Sequence, residues 1–242
     1  MSEIVTTTEV GRHNADLVAS AGRIIEGGSW KKQRIVVLIP SGPSIPAKVA
    51  LSWFNLIWPP NQAVYRVLCL GMEVGHAYSE ALSQVLAHPD LGTWEWVLTI
   101  EHDNMPPPDG VLKLVKRMEE HPEFACIGGL YWTKGEGGVP QIWGDVRDPV
   151  VNYRPQPPVP GQLVECCGTG MGFNLWRMSM FKDLMARKEM PKPLFRTKAS
   201  AEEGTGTQDL AFWAEARKFG YRAVIDCGCL VGHHDSATGI TW

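Results

Sequence analysis

Glu101-His102-Asp103 sets two carboxylates one residue apart at the end of a hydrophobic run, Trp94 to Ile100, and just before Met105 and Pro106-Pro107-Pro108. Paired acids suit a hard divalent cation, whose oxygen ligands commonly include one or two carboxylates together with substrate phosphates. A solvated loop carrying acids would have the same composition. Two further positions offer chemistry. His233 and His234 follow the last apolar run and can supply an imidazole nitrogen, while Asp209 opens a late helical segment. A carboxylate there can take a proton from a hydroxyl, or simply favour the helix dipole.

These side chains need elements to hold them. The run ending at Ile100 reads as a buried strand, and the prolines stop it because proline brings no N–H to a ladder. On an extended backbone Glu101 and Asp103 point to one side and His102 to the other. Upstream, Arg34 to Pro40 reads as a first strand with Ser41-Gly42-Pro43 as its turn, followed by a helix from Ile45 to Trp58. A second strand from Tyr65 to Leu70 and a helix from Tyr78 to Ala87 precede the acidic run. Downstream come an amphipathic helix from Gly110 to His121 and a fourth strand from Phe124 to Tyr131. This alternation predicts a single α/β domain, Rossmann-like, with a mostly parallel sheet sandwiched by helices and ligands at the carboxyl ends of its strands.

After Trp132 the texture changes. Glycine, proline and tryptophan crowd Lys134 to Trp143, and the proline-rich Tyr153 to Gly161 reads as a substrate-side loop. A strand from Leu163 to Cys167 and the cluster Gly168-Thr169-Gly170-Met171-Gly172 lead through Phe173 to Trp176 into a helix from Met178 to Lys188. A helix from Gln208 to Phe219, closed by Gly220, and a strand from Tyr221 to Asp226 complete the pattern. Residues 1–33 are expected to form an arm with a short helix from Asn14 to Ile25, capped by Asn14.

A formal charge of -3 and a pI near 6.2 give no global attraction for nucleic acid. Lys182, Arg187, Lys188, Lys192, Arg196 and Lys198 nevertheless form a basic run before Asp209. Such a run is ordinarily a solvated face, and its sharper reading is contact with a nucleic-acid backbone. No apolar run approaches the ~20 residues that span a bilayer, and Met1 to Thr6 has no signal pattern. A cytoplasmic protein without a membrane anchor is expected. The six cysteines include no Cys-x-x-Cys pair and read as buried reduced thiols.

The order of motifs adds a resemblance. Glu101-His102-Asp103, Gly128-Gly129-Leu130-Tyr131-Trp132, Gly168-Thr169-Gly170, Gln208-Asp209-Leu210-Ala211-Phe212 and Gly232-His233 succeed one another over residues 34–235. This succession resembles that of GT-A glycosyltransferases of the broad family-2-like group: a DxD after an apolar strand, a GG-aromatic strand, a GTG segment, an ED-x-x-F helix start and a terminal GH. The resemblance implies a GT-A fold over residues 34–242, with a nucleotide-sugar-binding half at 34–132 and an acceptor-side half at 133–242. It implies Mn²⁺ or Mg²⁺ on Asp103 and His233, with Glu101, in place of the first aspartate, as the second-rank member of the metal set. Asp209 would be the general base of an inverting transfer, and Gln208 stands where the family has glutamate. A nucleotide-sugar, first of all a UDP-sugar, would lie against Pro40, Ser41, Glu73, Glu101, His102, Asp103 and Gly170. Trp132, Trp143, Thr169 and Gln208 would face the acceptor, which is a glycan, a small molecule or a hydroxymethylated DNA base. Two alternatives stay open: a metal-dependent nucleotidyltransferase, and a non-catalytic sugar- or nucleic-acid-binding module on the same fold.

Overall fold

Strand β2 (Arg34–Ser41) shows how the sheet is built. Its Val36 and Leu38 enter one apolar layer, and Ile35, Val37 and Ile39 the other. A strand with both faces covered reads as a continuous hydrophobic run, which is why the sequence marks it so clearly. The computed structural model describes residues 3–10, 34–60, 63–200 and 204–242; the expected helix from Asn14 to Ile25 lies outside them.

The chain continues through α1 (Ala47–Phe54), β3 (Ala63–Leu70), α2 (Val74–Ala87), β4 (Trp96–Ile100), β5 (Asn104–Met105), α3 (Gly110–Glu120) and β6 (Cys126–Leu130). Then come β7 (Ile142–Asp145), β8 (Leu163–Thr169), β9 (Phe173–Arg177), α4 (Met178–Ala186), β10 (Lys198–Ser200) and β11 (Gly204–Gly206). Helix α5 (Gln208–Ala216), β12 (Ala223–Leu230) and β13 (Gly232–His233) close the order, and β1 (Glu3–Val10) precedes it. One nine-stranded sheet runs β1-β3-β2-β4-β9-β6-β12-β8-β7. Strands β3, β2 and β4 are mutually parallel, as are β6 and β12. Strand β9 enters antiparallel between β4 and β6, and β1, β8 and β7 pair antiparallel toward the edges. Most strands still share one direction. Helix α2 packs on one layer through Tyr78, Ala81 and Leu82, and α3 on the other through Val111, Leu114 and Met118.

Several local expectations change. The buried strand stops at Ile100, and Glu101 to Asp103 form a turn closed by Asn104 N–H on Glu101 O at 3.0 Å. The predicted alternation therefore does not hold beyond Ile100. Helix α2 starts at Val74, ahead of Tyr78, because the Glu73 carboxylate accepts from His76 N–H at 2.9 Å and caps it. Helix α1 ends at Phe54 rather than Trp58, and the Ile57 N–H turns to Pro108 O at 2.8 Å. Strands β7 and β9 arise where no strand was expected. The six cysteines are free and buried. Among the described residues no helix is long and apolar enough to cross a membrane.

The topology fixes where a ligand can enter. From β2 the chain steps outward to β3, then returns across β2 to β4. The crevice beyond the carboxyl ends of β2 and β4 is therefore a switch point, the usual ligand position in open α/β sheets.

Candidate functional site

A cleft of about 260 Å³ opens at that switch point. Pro40 and Ser41 come from the end of β2, Glu101, His102 and Asp103 from the turn after β4, and Gln208 from the first turn of α5. Because the acids sit on a turn, His102 lines the same cleft instead of facing away, which corrects the expectation drawn from strand alternation.

The two acids differ sharply. Burial, the nearby Asp103 charge and the Asp209 charge push Glu101 up to about 8, although Tyr78 Oη donates to its Oε1 at 3.2 Å. Burial also acts to raise Asp103, but hydrogen bonds from His233 and Lys134 outweigh it and hold that carboxyl well below the usual range. Lys134 Nζ lies 2.5 Å from Asp103 Oδ2, and His233 Nε2 lies 3.4 Å from the same oxygen. Oδ1 of Asp103 is buried with no partner.

The imidazole arrives through a short ribbon. Strand β13 pairs antiparallel with β5, setting His233 opposite Asn104, and His234 N–H donates to Asp103 O at 2.7 Å. His233 Nδ1 faces the Trp132 carbonyl at 2.7 Å, and a carbonyl only accepts. Nδ1 therefore carries a proton, and Nε2 is the ring nitrogen that faces Asp103.

Other predicted residues fall elsewhere. Asp209 is not among the lining residues, yet its carboxylate is close enough to raise Glu101. Burial raises Asp209 itself above the ordinary aspartate value. Glu73 is committed to the cap of α2 and to Thr197 Oγ1, which donates at 2.8 Å. Thr169 is fully buried, and its hydroxyl bonds to Gln141 O at 3.3 Å and Gly170 O at 3.1 Å, so it presents nothing to an acceptor. Gly170 serves close packing: a Cβ there would lie 2.4 Å from Tyr131 Oη. Trp132 packs partly buried on the core, and Trp143 Nε1 donates to Gln141 Oε1 at 2.8 Å on the β7 hairpin, outside the cleft. In the basic run, Arg187 pairs with Asp183 at 2.6 Å and Lys192 Nζ donates to Leu184 O at 2.6 Å.

Two participants were missed by the sequence reading. Tyr78 looked like an ordinary helix residue, and nothing local ties it to Glu101. Lys134, four residues beyond the end of β6 and beside Gly135-Glu136-Gly137-Gly138, reads from the sequence only as a turn residue near the carboxyl edge of the sheet.

A hard cation is compatible with these donors. Among the described residues no three His, Cys, Asp or Glu side chains converge as a ready cage. Asp103 and His233 offer two ligands, however, and the bare Oδ1 of Asp103 is a buried oxygen that a cation would satisfy.

The architecture and cleft define an α/β fold of the GT-A kind, and solved structures carry the same fold. A197 from STIV superposes with a TM-score of 0.55 at 15% identity, covering 84% of this chain and 86% of that one. GalNAc-T7, solved with UDP, GalNAc and Mn²⁺, superposes with a TM-score of 0.51 at 10% identity; the match covers 85% of this chain and 44% of that one. No protein-family model matches the chain, and no curated protein sequence matches it.

Proposed function

We propose that the chain transfers a sugar from a nucleotide-sugar, first of all a UDP-sugar, to an acceptor hydroxyl. The observation that carries this reading is Asp103. On a GT-A-like fold it lines the switch-point cleft with one carboxylate oxygen, Oδ1, buried and unpartnered, while the His233 imidazole stands 3.4 Å from the other. Asp103 and His233 would hold Mn²⁺ or Mg²⁺. Bound there, such a cation stabilises the negative charge that develops on a departing diphosphate.

The chain's own residues supply the rest. Pro40 and Ser41 form the β2 wall against which the nucleoside would lie, and His102 lines the same space. Glu101 is turned to Tyr78 Oη and serves as neighbour to the cation pair rather than as a ligand. Asp209 takes the proton of the attacking hydroxyl, and its raised proton affinity suits a base. Displacement in one step with one base inverts the anomeric centre.

Gln208 favours a second reading. It lines the cleft where the resembling family has glutamate, so a binding module without turnover would keep the same walls. Nucleoside diphosphate release from a panel of nucleotide-sugars with Mn²⁺ separates the two. Release by the wild type and its loss in Asp103→Ala support transfer. No release from any donor, or full release in Asp103→Ala, would sink it. Acceptors are then screened by mass spectrometry among glycans, small hydroxyl compounds and hydroxymethylated DNA.

A further inference from the structure

Lys134 brings its ammonium group to Asp103, a residue of the cleft wall, and the transfer scheme gives it no task. Its ammonium sits 2.5 Å from Asp103 Oδ2, on the carboxylate that would otherwise meet a cation. The supporting turn is fixed at its base and open at its tip. Thr133 N–H donates to Val139 O at 2.9 Å, Val139 N–H to Thr133 Oγ1 at 2.9 Å, and Gly138 N–H to Gly135 O at 3.1 Å. Gly135 and Gly137 take positive φ values of 98° and 75°, which only glycine adopts without strain, and nothing crowds either one. The turn thus holds the lysine backbone within reach of Asp103, while the side chain, 32% exposed, can swing about its flexible stem.

Charge arithmetic makes the present contact conditional. A divalent cation on Asp103 would lie beside the ammonium, and two positive centres on one carboxylate repel strongly where water is partly excluded. A diphosphate changes that balance, because its anionic oxygens offer the ammonium a second strong partner. We propose that Lys134 guards the cation site: it holds the Asp103 carboxylate through Oδ2 in the nucleotide-free protein and moves onto the donor's diphosphate when nucleotide and cation bind together. The inference rests on the sugar-transfer reading for the diphosphate itself. Its consequence is mutual dependence, since cation and nucleotide each bind weakly alone and tightly together.

The test measures Mn²⁺ binding, by electron paramagnetic resonance or calorimetry, to nucleotide-free protein and then with UDP, GDP or ADP present. Lys134→Met and Lys134→Gln are expected to bind free Mn²⁺ about tenfold more tightly than wild type, and to lose about tenfold of the enhancement that nucleotide brings. Lys134→Arg is expected to keep the wild-type pattern. Equal Mn²⁺ affinity in wild type and both uncharged variants, with folding verified by thermal unfolding, overturns the exchange while the transfer reading stands. Absence of Mn²⁺ binding in every protein with every nucleotide removes the transfer reading itself. Nucleotide binding by the wild type that is undiminished in EDTA also overturns the exchange, because Lys134 would then replace the cation permanently.

Discussion

Where β2 and β4 begin, the Arg34 guanidinium closes on the Glu95 carboxylate at 2.7 Å; where the same two strands end, Asp103 leaves a buried oxygen bare. The pattern extends along both edges. On the lower edge, Arg177 at the end of antiparallel β9 donates to Phe124 O at 2.8 Å and Met118 O at 2.6 Å, and Arg222 Nε donates to Glu165 Oε1 at 2.7 Å. On the upper edge, Glu101 is pushed up by burial and by neighbouring acids, and Asp103 keeps its charge only through Lys134 and His233. Charges that the fold satisfies completely hold elements together. Charges left incomplete mark the candidate site for a ligand.

That contrast can be broken by substitution. The largest effect belongs to Asp103→Ala, expected to lower nucleoside diphosphate release about 10³-fold or more, since a cation is worth several kcal/mol at the leaving group. Thermal unfolding should barely change; a large loss of stability there would erase the distinction between the edges. Asp209→Asn is expected to cost about 10²–10⁴-fold in the transfer rate with the fold intact, the usual contribution of a general base. Steady-state rates with a saturating acceptor decide it, and an unaffected rate would move the base elsewhere.

Lower-edge variants should behave in the opposite way. Arg177→Ala strips partners from carbonyls of Phe124 and Met118, so about 2–3 kcal/mol of stability should be lost in urea unfolding while transfer survives. The smallest effect is expected at Asp183, whose carboxyl is held below its ordinary value by hydrogen bonds from Arg187 and Tyr221. A depressed carboxyl stabilises the fold above its unfolded pKa of about 3.9, and that contribution disappears as pH falls through the folded value. Asp183→Asn should therefore unfold slightly earlier than wild type at neutral pH, and the two curves should converge in acid.

Much of this frame was legible in local pattern. The parallel strands β2, β4 and β6 are continuous apolar runs because both their faces are covered, and α3 alternates apolar and basic residues at helical spacing. Strand β9 escaped notice because it follows a glycine cluster and runs without a turn into α4; only its neighbours β4 and β6 make it a strand. The glycines of the fourth strand permit close packing, as at Gly128, where a Cβ would lie 2.2 Å from Asn174 Oδ1. The cleft was half visible. Asp103 announced itself by composition and Pro40 and Ser41 by position, but the lysine and tyrosine that set the two acids apart reach them only through the tertiary fold.

The two-residue ribbon between β5 and β13 has a bearing on the order of assembly. It is the element that seats His233 beside Asp103, and it is secured from the far end of the chain, where His233 and Trp242 exchange backbone hydrogen bonds at 2.9 and 3.0 Å. On the ribosome, Asp103 is made long before its imidazole, and the early strands can form while the late segment is still unsynthesised. On the sugar-transfer reading, a nascent chain would carry the cleft wall without the imidazole that completes its cation pair. Metal capture would then report that β13 has docked on β5, and Mn²⁺ uptake would time that step of folding.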